Sequence, residues 1–251
     1  MKNNIDLIVA HADKVLPLNS VCLGEEYYYQ SLPLCIIDAV YSIGVRYEGV
    51  KNVVARYCAR FDLQRTRTTD SSFPPTHEQE SLTSFCEKTE RIGPANMTAE
   101  VYHNRQRTSP RNGILKAEAV YRFATVLRKH NIEYLQDMSG AAENTAIEKE
   151  IRSIPGQTSG ISLKYFFMLA GSDDLIKPDR MILAFLGDAI GRIVSTSEAQ
   201  DLLTAAVEQL NVKHPSLTPR LLDYEIWKYQ RNKRVARPMQ RSKSIPSSCF
   251  N

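Results

Sequence analysis

The chain has 251 residues and a mass of 28.4 kDa, and 43% of the residues are hydrophobic and 24% charged. This composition is typical of a folded protein with one or two cores, and it excludes collagen-like, low-complexity and small disulfide-stapled chains. The longest apolar runs, 165–170 and 181–186, are far shorter than the roughly 20 residues of a membrane-spanning helix. The start of the chain shows no signal-peptide core. We therefore expect a cytoplasmic protein without a membrane partner, associated with the nucleoid if the source is bacterial.

The cysteines and histidines carry no metal-site pattern. There are five of each, scattered along the chain, without a Cys-x-x-Cys pair or a Cys/His cluster at zinc-ligand spacing. We expect neither a bound metal nor an iron–sulfur cluster.

The formal net charge of +4 is unevenly distributed. The last 21 residues carry six Lys or Arg and no acid, so the preceding 230 residues sum to −2. A second basic region, 105–130, holds seven Lys or Arg and a single acid, Glu118. Two basic regions indicate a polyanionic partner. A solvated helix face followed by a disordered tail explains the same charges, and charge alone leaves both interpretations open.

The hydrophobic periodicity is helical throughout and predicts an all-α fold. Thr76 and Gln79 have capping-box spacing, and the loops 65–75, 104–113, 154–160 and 172–178 are rich in Ser, Thr, Pro, Gly or Arg. The helices are predicted over 4–16, 31–61, 76–91, 97–103, 115–130, 143–153, 161–171, 179–194, 197–210 and 218–231.

Three segments carry a resemblance to a known family. Ile154, Pro155 and Gly156 open a tight turn between two helices, and Asp179 stands 23 positions after Gly156 at the start of a later helix. Upstream lie a helix in 112–130 and a helix–loop–helix pattern in 32–57. Their order and spacing resemble the helix–hairpin–helix DNA glycosylase superfamily typified by endonuclease III. The resemblance covers about residues 30–195.

The resemblance implies an architecture and a catalytic residue. It implies two helical lobes with a cleft between them: a barrel lobe at 31–172 with the hairpin at 154–160, and a second lobe formed by 1–30 plus 173–230. We expect residues 231–251 to form a flexible basic tail. Asp179 corresponds to the family's catalytic carboxylate, which stabilises a cationic sugar or helps to activate water. Asp after Pro178 is also a preferred N-cap, and both roles can hold together.

The resemblance also implies a DNA-binding surface. A turn of small residues before a helix N-terminus lets backbone N–H groups approach a phosphate. Together with the basic segment, this gives the expected contacts Gly156, Gln157, Ser159, Gly160, Lys164, Arg105, Arg107, Arg111 and Lys116. Candidates to line the pocket of a flipped base, or to wedge into the duplex, are Asp38, Tyr41, Arg46, Tyr47, Tyr102 and Asn104. Tyr27 to Tyr29 point in different directions on a helix, so we expect most of them to be packing residues.

Two departures from the family narrow the expected chemistry. Bifunctional members place a lysine just after the hairpin, whereas Gly160, Ile161 and Ser162 stand here and Lys164 follows one turn later. This implies a monofunctional enzyme. The four clustered cysteines of iron–sulfur relatives are also missing, so we expect no cofactor beyond a monovalent cation at the hairpin carbonyls.

The sequence thus leads to one principal hypothesis and two alternatives. The principal hypothesis is a monomeric DNA glycosylase that flips an altered or hypermodified base from duplex DNA and hydrolyses its N-glycosidic bond. The first alternative is a non-catalytic helix–hairpin–helix DNA-binding module, and the second is an RNA-directed or protein-interaction role. A pocket beside Asp179 would favour the enzyme over the module.

Overall fold

A computed structural model describes residues 2–45, 47–68 and 72–236. The predicted all-α class is confirmed, because these residues form α-helices and short 3-10 or π turns, without a β-strand among them. The α-helices are α1 (Lys2–Val15), α2 (Leu32–Tyr41), α3 (Tyr47–Phe61), α4 (Leu82–Ile92), α5 (Pro94–Asn96), α6 (Lys116–Lys129), α7 (Thr145–Ser153), α8 (Ile161–Leu169), α9 (Arg180–Ile190), α10 (Thr196–Leu210) and α11 (Pro219–Ala236).

The boundaries of two predicted segments are wrong. Helix α4 begins at Leu82, where Ser81 accepts a hydrogen bond from the Ser84 amide at 3.0 Å, and not at Thr76. The side chain of Gln79 closes no capping box, because its Nε2 donates to the Pro74 carbonyl at 2.6 Å and ties down the preceding loop. At the other end, α11 continues to Ala236, so the predicted tail begins as helix. Residues 237–251 lie outside the described chain.

The long apolar pattern over 31–61 belongs to two helices. Helix α2 is buried over its whole length and ends at Tyr41, and α3 begins at Tyr47. The turn between them includes Gly44, whose φ of +73° favours glycine. Four helices pack on α2, namely α3, α4, α6 and α8, so α2 is the central helix of its surroundings.

The buried hydrophobic residues form two clusters. The first, core A, runs from Tyr27 to Ala170 and centres on α2, α6 and α8. The second, core B, joins residues of 5–18 to residues of 176–226 through contacts of α1 with α9 and α10 and of α9 with α11. These chain segments are the ones named in the two-lobe hypothesis, except that Tyr27 and Tyr29 belong to core A. The two-lobed shape itself stays a prediction.

Helices α7 and α8 are joined by the 154–160 turn. The turn is closed by two backbone hydrogen bonds of 2.9 Å, from Gln157 N to Ile154 O and from Gly160 N to Gln157 O. Gly156 and Gly160 have φ values of +86° and +71°, which side-chain-bearing residues rarely adopt. The glycines are therefore required by the backbone geometry of the turn, whatever the turn binds.

Candidate active-site pocket and basic surface

A pocket with an empty volume of about 560 Å³, part of it open to solvent, lies between core A and core B. One wall is aromatic and the floor carries two acids and two bases. The lining residues are Leu23, Tyr27, Tyr47, Tyr165, Met168, Leu169, Lys177, Asp179, Ile182, Arg220, Asp223, Tyr224 and Trp227.

Asp179 is both a helix cap and a pocket residue. Its Oδ1 accepts hydrogen bonds from the amides of Met181 at 2.7 Å and Ile182 at 3.4 Å, which makes it the N-cap of α9. Its Oδ2 accepts no hydrogen bond from the described residues, and the half-buried side chain lines the pocket. One oxygen therefore fixes the carboxylate, and the other remains available to a ligand.

A second carboxyl group, that of Asp223 on α11, lies beside Asp179. Its Oδ2 accepts a hydrogen bond from the backbone amide of Lys177 at 2.8 Å, two residues before Asp179. Burial raises the pKa of Asp223 to about 8, and the negative charge of Asp179 adds to this rise. The pocket therefore holds two acidic side chains in different electrostatic environments.

Lys177 is the third ionisable residue of the pocket floor. Its Nζ donates to Ser42 Oγ at 2.9 Å and lies 3.7 Å from the centroid of the Tyr165 ring. Burial lowers the pKa of Lys177, whereas the carboxylates of Asp179, Asp38 and Asp223 oppose that change. The side chain thus bridges the segment before α9 and the turn after α2.

The aromatic wall is assembled from three distant parts of the chain. Tyr27 and Tyr47 stack with ring centroids 5.7 Å apart, and Trp227 meets Tyr47 edge-on at 5.5 Å. Tyr224 packs edge-on against Tyr27 at 5.2 Å. Aromatic faces at the rim of a pocket are suitable surfaces for stacking a planar ring.

Of the residues predicted to line a base pocket, the structure brings only Tyr47 to this pocket. Asp38 and Tyr41 on α2, and Tyr102 after the 97–101 turn, are buried with at most 1% of their surface exposed. Their predicted role as pocket or wedge residues is therefore wrong for this arrangement. Asn104 lies half-buried elsewhere, where its Oδ1 accepts from the Gln106 amide at 2.9 Å, and Arg46 lies outside the described residues.

Asp38 has a structural partner. Its Oδ2 accepts a hydrogen bond of 2.7 Å from the Tyr29 hydroxyl. Burial raises the pKa of Asp38 to about 6, although the hydrogen bond from Tyr29 and the charge of Lys177 oppose the rise. This carboxyl group is not part of the pocket lining.

The 154–160 turn lies against the arginine-rich loop at 104–115. A Cβ atom placed on Gly156 would come within 2.4 Å of Thr108 Cβ, whereas at Gly160 it would meet only the Arg152 side chain, at 3.8 Å. The loop is closed by a bridge between Arg107 and Leu115. The two segments predicted to meet DNA therefore form one continuous surface.

Most of the predicted phosphate-contacting cations are exposed on this surface. Arg105, Arg107 and Arg111 are exposed and Lys164 is half-buried, and none of the four forms an ion pair with a described residue. Ser159 is exposed in the turn, as expected. In the described chain the amide groups of Ser162 and Leu163 donate to no protein acceptor, as is usual in the first turn of a helix.

Three predicted DNA contacts are wrong, because Lys116, Gln157 and Gly160 are all buried. Lys116 is 3% exposed, and its Nζ donates to the carbonyls of Tyr41 at 3.0 Å and Ile43 at 2.8 Å at the end of α2. Burial lowers its pKa to about 8. Gln157 is 2% exposed because its side chain is bonded to Ser162 inside the turn.

Sequence reasoning missed most of the pocket. Lys177 stands next to the recognised Pro178–Asp179 pair, so the signal was present but was not used. Trp227 is the single tryptophan of the chain, but its rarity does not indicate where in the fold it lies. For Tyr27, Arg220, Asp223 and Tyr224 no local pattern distinguishes a pocket residue from a packing residue.

Within the described residues no group of three or more His, Cys, Asp or Glu could hold a metal ion. The carbonyl oxygens of the 154–160 turn are largely engaged, since those of Ile154 and Gln157 accept amide hydrogen bonds and that of Thr158 accepts from Arg152 Nε at 2.9 Å. The cation expected at the turn therefore stays a prediction, and these three carbonyl oxygens already have hydrogen-bond partners. No helix in the described chain is long and apolar enough to cross a membrane.

The fold and the site define an all-α protein with an aromatic pocket that contains carboxyl groups and with a separate basic surface. The chain belongs to a family described as a domain of unknown function, DUF8548, whose family model matches residues 6–231. No curated protein and no solved structure matches the chain.

Proposed function

We propose that this protein is a monofunctional DNA glycosylase that acts in base excision: it flips an altered or hypermodified base from duplex DNA and hydrolyses the N-glycosidic bond with Asp179 as the catalytic carboxylate. The observation that carries the proposal is the position of Asp179. It is fixed as the cap of α9 through Oδ1 and lines an aromatic pocket with Oδ2 unbound.

The pocket fits the recognition of a flipped base. Extrusion of a base costs a few kcal/mol of stacking and pairing, which the enzyme recovers by stacking the base on aromatic or apolar side chains. Tyr47 and Trp227 are aromatic side chains in the lining of the pocket.

The position of the carboxylate fits the chemistry of the bond. When the bond between C1′ and the base nitrogen breaks, positive charge develops on the sugar, and a nearby carboxylate stabilises it. The same group can accept a proton from the water that attacks C1′. Hydrogen bonds from Met181 and Ile182 hold Asp179 in one orientation, so little reorganisation is needed during the reaction.

The basic surface supports duplex DNA as the partner. Phosphate contacts position a protein on DNA without specifying sequence, and the exposed side chains of Arg105, Arg107 and Arg111 suit that purpose. Helix α8 links this surface to the pocket, because it begins at the turn and contributes Tyr165, Met168 and Leu169 to the lining. Its nine residues span roughly 13 Å, about four base-pair steps of a duplex.

The assignment as a monofunctional enzyme depends on whether a lysine is placed to attack the sugar. No lysine follows the turn at 160–162, and Lys164 is a half-buried residue that is absent from the pocket lining. Lys177 is in the pocket, but its ammonium group is engaged by Ser42 and the Tyr165 ring. We therefore assign the attack on the sugar to water.

A non-catalytic DNA-binding module is the second candidate, and one observation favours it: the capping bonds of Asp179 account for that residue without any chemistry. The two candidates differ in product. The protein should be incubated with duplex oligonucleotides that carry a panel of altered and hypermodified bases, and released bases should be identified by mass spectrometry. Release by the parent protein but not by Asp179→Asn supports the enzyme. Binding of the duplexes with no release from any of them would leave the module as the better account.

A further inference from the structure

The pocket contains a carboxyl group that the proposed reaction does not yet use. Asp223 lines the pocket on the side of α11, 7% exposed, and only its Oδ2 is bonded to a described residue, the Lys177 amide at 2.8 Å. Its Oδ1 has no hydrogen-bond partner in the described chain. The hydrogen bond of Oδ2 is sufficient for a structural role, because it satisfies the buried Lys177 amide. Oδ1 has no such role in the described chain and remains available to a ligand in the pocket.

We propose that Asp223 is a second catalytic residue, the general acid that protonates the departing base, and that the substrate is therefore a base without a permanent positive charge. This inference rests on the proposed function. It assigns different roles to the two carboxyl groups: Asp179 acts on the sugar and the attacking water, and Asp223 acts on the base.

The electrostatic surroundings of Asp223 suit a proton donor. From the segment before α9, Asp179 and Lys177 face it, and from its own helix Arg220 does so. Arg220 is already paired with Asp173 at 3.2 Å. Burial and the Asp179 charge raise the pKa of Asp223 to about 8, so the carboxyl group carries its proton at neutral pH. Two neighbouring acids whose pKa values are driven apart by their environments commonly divide the acid and base roles.

The remaining titratable groups around the pocket do not compete for this role. Tyr27, Tyr47 and Tyr165 are all held by burial at pKa values above the usual range of tyrosine, so they stay protonated hydroxyl groups. Tyr224 on α11 also has a raised pKa for the same reason. Asp223 is thus the acid of the pocket best placed to release a proton near neutral pH.

The proposed step balances as a hydrolysis. The bond from C1′ to the base nitrogen breaks and its electron pair goes to the base, which takes the proton of Asp223 at a ring nitrogen or carbonyl oxygen. Water forms the new bond to C1′ and gives a proton to Asp179. Proton exchange with solvent then restores both groups. An uncharged base would leave as an anion without such an acid, whereas a base alkylated on a ring nitrogen leaves as a neutral molecule and needs none.

The test compares the parent with Asp223→Asn, which keeps an acceptor for the Lys177 amide and nearly the same volume. Single-turnover rates are measured from pH 5.5 to 9.5 on duplexes with hypoxanthine or 5-hydroxymethyluracil, and on a duplex with the cationic base N7-methylguanine. Asp174→Asn, at an exposed position in the same region, is the matched control. Thermal unfolding checks that both variants fold.

On an uncharged base, we expect Asp223→Asn to lose about 10²- to 10⁴-fold in rate. We expect the rate of the parent to fall above a pH of about 8, where Asp223 loses its proton, and the rate of Asp223→Asn to show no such fall. On the N7-methylguanine duplex the variant should stay within a few-fold of the parent. A purely structural role would lower both rates at every pH. Equal losses on both kinds of base, or an unchanged alkaline limb, would overturn the role of Asp223 alone.

A parent protein that releases no base from any duplex would instead overturn the proposed function, and the role of Asp223 with it. A titration of the carboxyl group by carbon NMR, with Asp223→Asn to assign the signal, needs no substrate. A group that is ionised at pH 7 in the free protein would contradict the proposed acid.

Discussion

The pocket and the basic surface place charge in opposite ways. In the pocket, Lys177 and Asp223 are enclosed and change their pKa because the protein replaces water around them. On the surface, Arg105 and Arg111 are exposed and form no ion pair with a described residue. A charge kept in water interacts weakly with its neighbours and is screened by salt, so it suits the positioning of a polyanion. The burial of a charge is costly, and a protein that retains such groups in a pocket has them available for chemistry.

The largest effect that tests this contrast is expected at Asp179. Asn preserves the capping oxygen, so Asp179→Asn should keep the melting temperature and DNA binding of the parent. The loss of the carboxylate charge should reduce the single-turnover rate about 10²- to 10⁴-fold. Asp179→Ala should in addition lose about 1 kcal/mol of stability. The control is Asp201→Asn, an exposed position on α10. An Asn variant as active as the parent would reduce Asp179 to a helix cap.

A smaller effect is expected at the aromatic wall. Trp227 meets Tyr47 edge-on at the pocket, and stacking of one base on an aromatic side chain contributes about 1–3 kcal/mol. Trp227→Ala should therefore raise the concentration of modified duplex at half-maximal rate by roughly 5- to 150-fold. Trp227→Phe keeps a ring face and should recover most of the loss. If affinity for an unmodified duplex fell by the same factor, Trp227 would be a general DNA contact or a packing residue instead of a base contact.

The basic surface should respond to salt, unlike the pocket. Each neutralised phosphate contributes about −0.9 to the slope of log affinity against log salt, so the double variant Arg105→Ala/Arg111→Ala should flatten the slope by roughly 2 units. That corresponds to an affinity change of about 16-fold between 50 and 200 mM salt. Lys116→Met is the matched control, because Lys116 is buried against α2 and should leave the slope unchanged. An unchanged slope in the double variant would mean that both arginines belong to a solvated face and do not contact DNA.

The last prediction is a negative result in a covalent trapping experiment. Borohydride should trap no covalent adduct between the protein and modified DNA, because Lys164 is outside the pocket and Lys177 is held by Ser42 and Tyr165. The measurement is a denaturing gel with a lyase of known activity as positive control. An adduct that disappears in Lys177→Ala, but persists in Lys164→Ala, would make the protein a lyase and place its nucleophile in the pocket.

Local patterns in the sequence were sufficient for the helices and for one residue of the site. The 3.6-residue periodicity predicted the positions of most helices, since helical faces are encoded by neighbours in the chain. Asp179 was singled out because its spacing from the 154–160 turn resembles that of a known family's catalytic carboxylate, and Asp after Pro178 is also a preferred N-cap. The start of α4 was misplaced because Gln79 reaches Pro74 and, at 2.8 Å, Gln136, contacts that no local rule contains.

Lys116 and Asp223 show why the rest could not be predicted. In the sequence, Lys116 is one of seven basic residues and resembles its neighbours, yet the packing of α6 on α2 directs its ammonium group onto the carbonyls of Tyr41 and Ile43. Asp223 stands 44 positions after Asp179 in an ordinary amphipathic helix, and only the contact of α11 with α9 brings it to the Lys177 amide.

The sequence by itself determined the helical class, the helix-capping aspartate and the basic segments, because periodicity, capping and charge are properties of neighbouring residues. The tertiary structure decided which of those charges are buried and which side chains share a pocket. It placed Tyr27, Tyr47 and Trp227 on one wall and two aspartates on one floor, although these residues are separated by up to 200 positions. Burial and proximity arise only when the helices pack, and they are the quantities that adjust pKa values and create a site.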